Sequence, residues 1–132
     1  MFLKLYAIAL PVFLALDLVW LGLVARRFYR ERIGWMLRDS PDWVPALLFY
    51  ALFVAGVVFF VVGPALEKQS WRHALFAGAA FGLVTYAAYD LTNQALTRDW
   101  PWLVTVVDLA WGAVLSATVA TVTFLVARRL GW

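Results

Sequence analysis

Three aspartates in this chain stand inside long apolar runs: Asp17 in FLALDLVWLGLV, Asp90 in YAAYDLTN and Asp108 in VTVVDLAWG. The tetrads they open read DLVW, DLTN and DLAW, so Trp20, Asn93 and Trp111 each follow a carboxylate by three residues. On a helix that spacing puts both side chains on one face. A carboxyl group held away from water can take up and release a proton, receive a cation, or act as a general acid or base. Tyr86, Tyr89, Thr92, Asn93 and Thr105 stand close enough in sequence to offer neutral hydrogen bonds beside it. Trp20 and Trp111 would serve as aromatic walls for a lipophilic or cationic ligand. The candidate proton or ligand site is therefore Asp17, Asp90 and Asp108 with Asn93, Trp20, Trp111, Tyr86, Tyr89 and Thr105.

The elements that must position these groups are written in the composition. Of 132 residues, 65% are hydrophobic and 14% charged, outside the range of soluble domains and inside that of membrane proteins. At roughly 20 residues per crossing, four helices with short connections use nearly the whole chain as a single domain, 1–132. The absence of cysteine excludes a disulfide framework, a thiolate metal site and a cysteine nucleophile. No metal site and no cofactor are expected. The net charge of +3 is carried at segment ends, which is interfacial placement and not a nucleic-acid footprint.

The first apolar segment, about Leu3 to Ala25, is too long for a cleaved signal and carries Asp17, so it is read as a retained helix that Pro11 should kink, or in which it frees a carbonyl one turn earlier for neighbouring helices to satisfy. From Arg26 to Asp42, five arginines interleave with Phe28, Tyr29, Ile33, Trp35 and Leu37. This predicts a short amphipathic helix at the headgroup level, with Arg26, Arg27 and Arg30 facing anionic membrane lipid. The second segment, Trp43 to Val62, reads as packing, and Gly63, Pro64 and the polar run to Ser70 read as a loop. Trp71, Arg72 and His73 open the third segment, which continues from about Ala74 to Leu96. His73 reads as a headgroup contact. The fourth spans Pro101 to Ala127, with Pro101 in the first turn. Small residues at Ala74, Gly78 and Gly82, and at Gly112, Ser116 and Ala120, predict that helices three and four pack as a close antiparallel pair. A weak echo between the halves suggests a two-by-two helix repeat.

With four crossings, the first and third loops share one membrane face. A rise of about 1.5 Å per residue then puts all three aspartates on that side of the midplane, within roughly one turn in depth. A charged carboxylate there costs about 2.5–3.5 kcal/mol, so each must face the bundle interior or water, or find a partner. No cation lies within the helices. Arg26, Arg27 and Arg98 are near enough to snorkel towards the site. Without full pairing, at least one carboxylate is expected to keep its proton at neutral pH.

The signatures FLALDLVWLGLVARRFYR, GLVTYAAYDLTN and DWPWLVTVVDLAWG resemble those of the domain-of-unknown-function 2177 family, small bacterial four-helix membrane proteins. The resemblance covers almost the whole chain. It implies an all-α, polytopic protein of the bacterial cytoplasmic (inner) membrane, and puts Asp17, Asp90, Asn93 and Asp108 on family-like positions, without implying an activity.

The residues themselves point first to a small proton-linked transporter or binder of a cationic or lipophilic small molecule. Six cations on the face of loops one and three oppose five on the other, a near balance that permits dual insertion and an antiparallel homodimer. The dense arginines of loop one lean that face towards the cytoplasm. A membrane-embedded enzyme acting on a lipid or isoprenoid, with Asp as acid or base, ranks second. The closely spaced DxxxD or DxxD carboxylates of metal-diphosphate chemistry are missing, as is a Ser nucleophile with its base. The third reading is an accessory subunit of a membrane complex.

Overall fold

A computed structural model describes residues 1–132 as an all-helical bundle. Four helices are long and apolar enough to cross a membrane: α1 (Phe2–Val24), α3 (Trp43–Glu67), α4 (Trp71–Leu96) and α5 (Trp102–Arg129). A fifth and shorter helix, α2 (Arg26–Ile33), follows the first crossing and ends in one 3₁₀ turn over Gly34–Met36.

The long helices have different kinds of termini. Asp42 caps α3 by accepting from the Val44 N–H, and Ser70 caps α4 by accepting from the His73 N–H. Pro101 stands at the cap of α5, one residue before the helix proper, rather than in its first turn as the sequence suggested. Its φ of −70° is fixed by the ring, and no helix hydrogen bond needs its missing N–H there. Asp99, at φ 58°, turns the chain between α4 and α5. Aspartate tolerates that left-handed conformation better than most residues.

One expectation about proline and glycine fails. The helix of the second segment does not stop at Val62 but runs through Gly63 and Pro64 to Glu67. The preceding turn, Val58–Val62, is π-helical, and the Gly63 N–H reaches back five residues to the Val58 carbonyl. The widened turn accommodates a proline that cannot donate, so the loop shrinks to Lys68–Ser70. In α1 the helix runs through Pro11 without a break, and a π-helical turn follows over Trp20–Val24.

The apolar core is built from Leu5, Ala9 and Phe13 of α1, a run of valines with Phe53 of α3, Ala74 of α4, and Leu115, Val119, Ala120, Phe124 and Ala127 of α5. α5 touches every other crossing helix and is the central element. Its tightest partner is α4. A Cβ at Gly82 would overlap the Gly112 carbonyl oxygen, and one at Gly78 would come within 3.0 Å of the Ala117 backbone. The two rows of small residues therefore do bring the helix backbones together.

The core stripes share one property that positions the site. In α1 the buried residues step by four from Leu5 through Ala9 and Phe13 to Asp17. In α4 the step runs from Ala74 through Gly78 and Gly82 to the half-buried Tyr86 and then Asp90. In α5 the buried row runs backwards in steps of three or four, from Ala127 through Thr123, Ala120, Ser116 and Gly112 to Asp108. Each stripe ends in an aspartate at the end of the bundle that carries α2.

Candidate functional site

Asp17 is 5% exposed, Asp90 0% and Asp108 9%, and none of them makes an ion pair. What replaces a counter-ion differs for each. Asp17 lies against the Tyr50 hydroxyl of α3 and beside the Trp111 indole, whose buried N–H falls short of good hydrogen-bond geometry. Asp108 accepts a short hydrogen bond from the Tyr29 hydroxyl of α2. Tyr29 in turn accepts from the Trp20 indole N–H at 3.3 Å. Neither Asp90 oxygen has a donor of its own, and the group it faces is the Asp108 carboxyl. Two carboxylates have no hydrogen between them, so that contact becomes a hydrogen bond only when a proton occupies it.

Asp17 and Asp108 open onto one cavity of about 710 Å³. Trp20 and Trp111 form one wall, stacked at 4.4 Å between ring centroids and 7° from parallel. The π-helical turn that begins at Trp20 widens the end of α1 where this ring is presented, a common use of such turns at functional sites. Tyr50, Tyr86 and Tyr89 contribute further aromatic surface, and Tyr86 is close enough to all three carboxyls to sense their charge. Asp90 lies behind Asp108 and does not line the cavity.

The short helix α2 covers this space. Its Ile33 is buried against Trp100 and Val104, at the α4–α5 turn and the start of α5, with Phe28 and Tyr29 packed alongside. That docking turns Tyr29 inward and puts Arg26 and Arg30 on the cavity lining. α2 is thus amphipathic, with the face bearing Tyr29 and Ile33 packed on the protein interior and Arg26, Arg27 and Arg30 exposed. Arg27 pairs with Glu31 at 2.8 Å on the exposed face, and Arg98 does not reach the cavity.

Two residues assigned to the site serve elsewhere. The Thr105 hydroxyl donates to Gln94 Oε1 at 2.8 Å and accepts from Trp100 Nε1 at 3.1 Å. Gln94 Nε2 donates to the Trp100 carbonyl at 2.7 Å. This closed network fixes the α4–α5 turn against which α2 docks. Thr105→Val leaves two polar groups without partners, and a loss of about 1–3 kcal/mol is expected from unfolding of the purified protein in detergent. Thr92 bonds back to the Ala88 carbonyl of its own helix. Asn93 is set beside Tyr89 and makes no hydrogen bond to Asp90.

Tyr29 and Tyr50 are the partners that the sequence reading missed. Tyr50 carried a signal, since it has the only hydroxyl in an otherwise apolar segment. Tyr29 carried little, because a tyrosine among arginines is ordinary at a membrane surface. Burial, and then the hydrogen bond to Asp108, push the Tyr29 pKa up from its ordinary value near 10. A raised tyrosine pKa means stability that is complete below the unfolded value of about 10 and is lost as pH climbs above it. Alkaline unfolding should be shallower in Tyr29→Phe than in the parent, and tyrosinate absorbance should show one late-titrating group fewer.

Apolar spanning helices and a buried set of acids opening on an aromatic cavity define a polytopic membrane protein. The sequence profile of a family described as "Predicted membrane protein (DUF2177)" matches residues 2–125, and the chain belongs to that family. No curated protein and no solved structure matches it.

Proposed function

We propose that this is a small proton-linked transporter or binder of a cationic, lipophilic molecule, with the ligand held between Asp17 and Asp108 in the aromatic cavity. The observation that carries the reading is two buried carboxyls facing one cavity with tyrosine and tryptophan, but no cation, as their nearest partners. Such a box suits an ammonium or phosphonium group, which the acids attract and the stacked Trp20–Trp111 pair receives on an outer face. Asp90 stores a proton against Asp108. When the cation arrives at Asp108, the proton shared with Asp90 leaves to water, so that the site exchanges one positive charge for another.

The test is binding of tetraphenylphosphonium to the protein in lipid nanodiscs across a pH series. One proton released per cation bound makes affinity rise by about tenfold per pH unit where the site is protonated. Binding that is independent of pH, or that survives replacement of both Asp17 and Asp108 by Asn, overturns the reading.

The presence of Arg26 and Arg30 on the same cavity favours a second reading. Guanidinium groups suit phosphate, so a phosphate-headed lipid or isoprenoid could be placed with Asp108 as acid or base. Turnover of a phosphate-headed isoprenoid by the purified protein, abolished in Asp108→Asn, would put the enzyme in place of the transporter.

A further inference from the structure

We infer that the ligand is a single-chain cationic amphiphile that enters sideways from the bilayer, its alkyl chain lying in a phenylalanine groove that adjoins the aspartate cavity. The inference rests on the reading just given and names its substrate class. A second cavity, of about 460 Å³, runs along the lipid-facing side of α3, between Phe49 and Phe60, with Phe81 and Thr85 of α4 on its other wall. Phe49 and Thr85 line both this groove and the aspartate cavity, so the two lie side by side at these residues.

The passage is free of polar cost. The Thr85 hydroxyl donates to the Phe81 and Gly82 carbonyls of its own helix, at 2.8 and 3.1 Å, and so adds no open donor to it. The tip of the Phe81 ring reaches Gly56 so closely that a Cβ there would come within 2.7 Å of its Cζ, and the ring closes that side of the groove. From Phe49 to Phe60 the helix rises roughly 16 Å, the length scale of an alkyl chain.

Charge decides which opening a cation would use. On the side of α2 the cavity is lined by Arg26 and Arg30, both exposed, which repel a positive headgroup. On the groove side no charged residue stands between the bilayer and the site. A cation with a chain is drawn in from the lipid, stops at Asp17 and Asp108, and leaves its chain among Phe59, Phe60 and Phe81. A hydrophilic cation, which does not partition into the bilayer, has only the arginine-guarded entrance.

Two photoreactive alkyltrimethylammonium probes, one with its diazirine next to the nitrogen and one with it near the chain end, test this in nanodiscs with adducts mapped by mass spectrometry. Head-labelled adducts are expected on the aspartate cavity and chain-labelled adducts on Phe59, Phe60 and Phe81. Both should fall at least tenfold in the Asp17→Asn, Asp108→Asn double variant and under excess unlabelled amphiphile. Ala55→Trp, which fills the groove, should move chain adducts away from it. Chain adducts spread evenly over lipid-facing positions such as Val84 and Val106, with head adducts still dependent on the aspartates, overturn the groove and leave the binding site standing. Head adducts that ignore the aspartates remove both.

Discussion

Asp108→Asn should abolish tight binding of a lipophilic cation while the protein remains inserted and helical. Its carboxyl contacts Asp90, accepts from Tyr29 and faces the cavity, so it is the one acid that touches both the ligand space and the proton partner. The amide is nearly the same size and keeps an acceptor for Tyr29, so packing has little reason to change. The charge is lost. Removing one member of a buried charge pair costs about 2–5 kcal/mol, which is roughly thirtyfold or more in affinity. Asp90→Asn should act differently. Asp90 does not line the cavity, so its amide should flatten the pH dependence more than it lowers affinity at high pH. Equal losses at all pH values in both variants would mean that the two acids do not share a proton. If circular dichroism and gel filtration show instead that Asp108→Asn fails to fold, the aspartates are interhelical glue.

The largest effect on stability is expected at Gly82. A side chain there must displace the Gly112 carbonyl, which is backbone and cannot rotate away. Gly82→Val should therefore drive α4 from α5, and the overpacking cost of about 1–3 kcal/mol is a lower bound because lipid offers no hydrophobic drive to hold the pair. The Tyr86 ring stands against Gly112, so the same change should open the cavity wall and lower cation binding as well. Gly22 is the control. A Cβ added there meets nothing within 4 Å, and Gly22→Ala should stay within about 0.5 kcal/mol of the parent. Thermal unfolding in detergent separates the two, and a Gly82→Val protein as stable as Gly22→Ala would show that the helix pair is looser than described.

The sequence by itself determined the class of protein and the level of the acids. Apolar runs of crossing length set four spans, and a fixed rise per residue with alternating direction brought Asp17, Asp90 and Asp108 to one end of the bundle. The close pairing of the last two helices was also legible, since only small residues let backbones approach in a solvent as apolar as the side chains. What could not be read was which way each remaining face points. The crossing helices α3 and α5 are apolar nearly all round, and hydropathy fixes no rotation for such a helix, so Tyr50 passed as packing and Thr105 as a site residue. Tertiary structure decided those rotations by fitting volume and closing hydrogen bonds, as the Gln94–Trp100–Thr105 network does at the α4–α5 turn. It also decided that α2 folds back over the acids. Ile33 finds Trp100 and Val104 only once α4 and α5 have brought them to the same surface, and from that contact follow the Tyr29 bond to Asp108 and the arginines at the cavity.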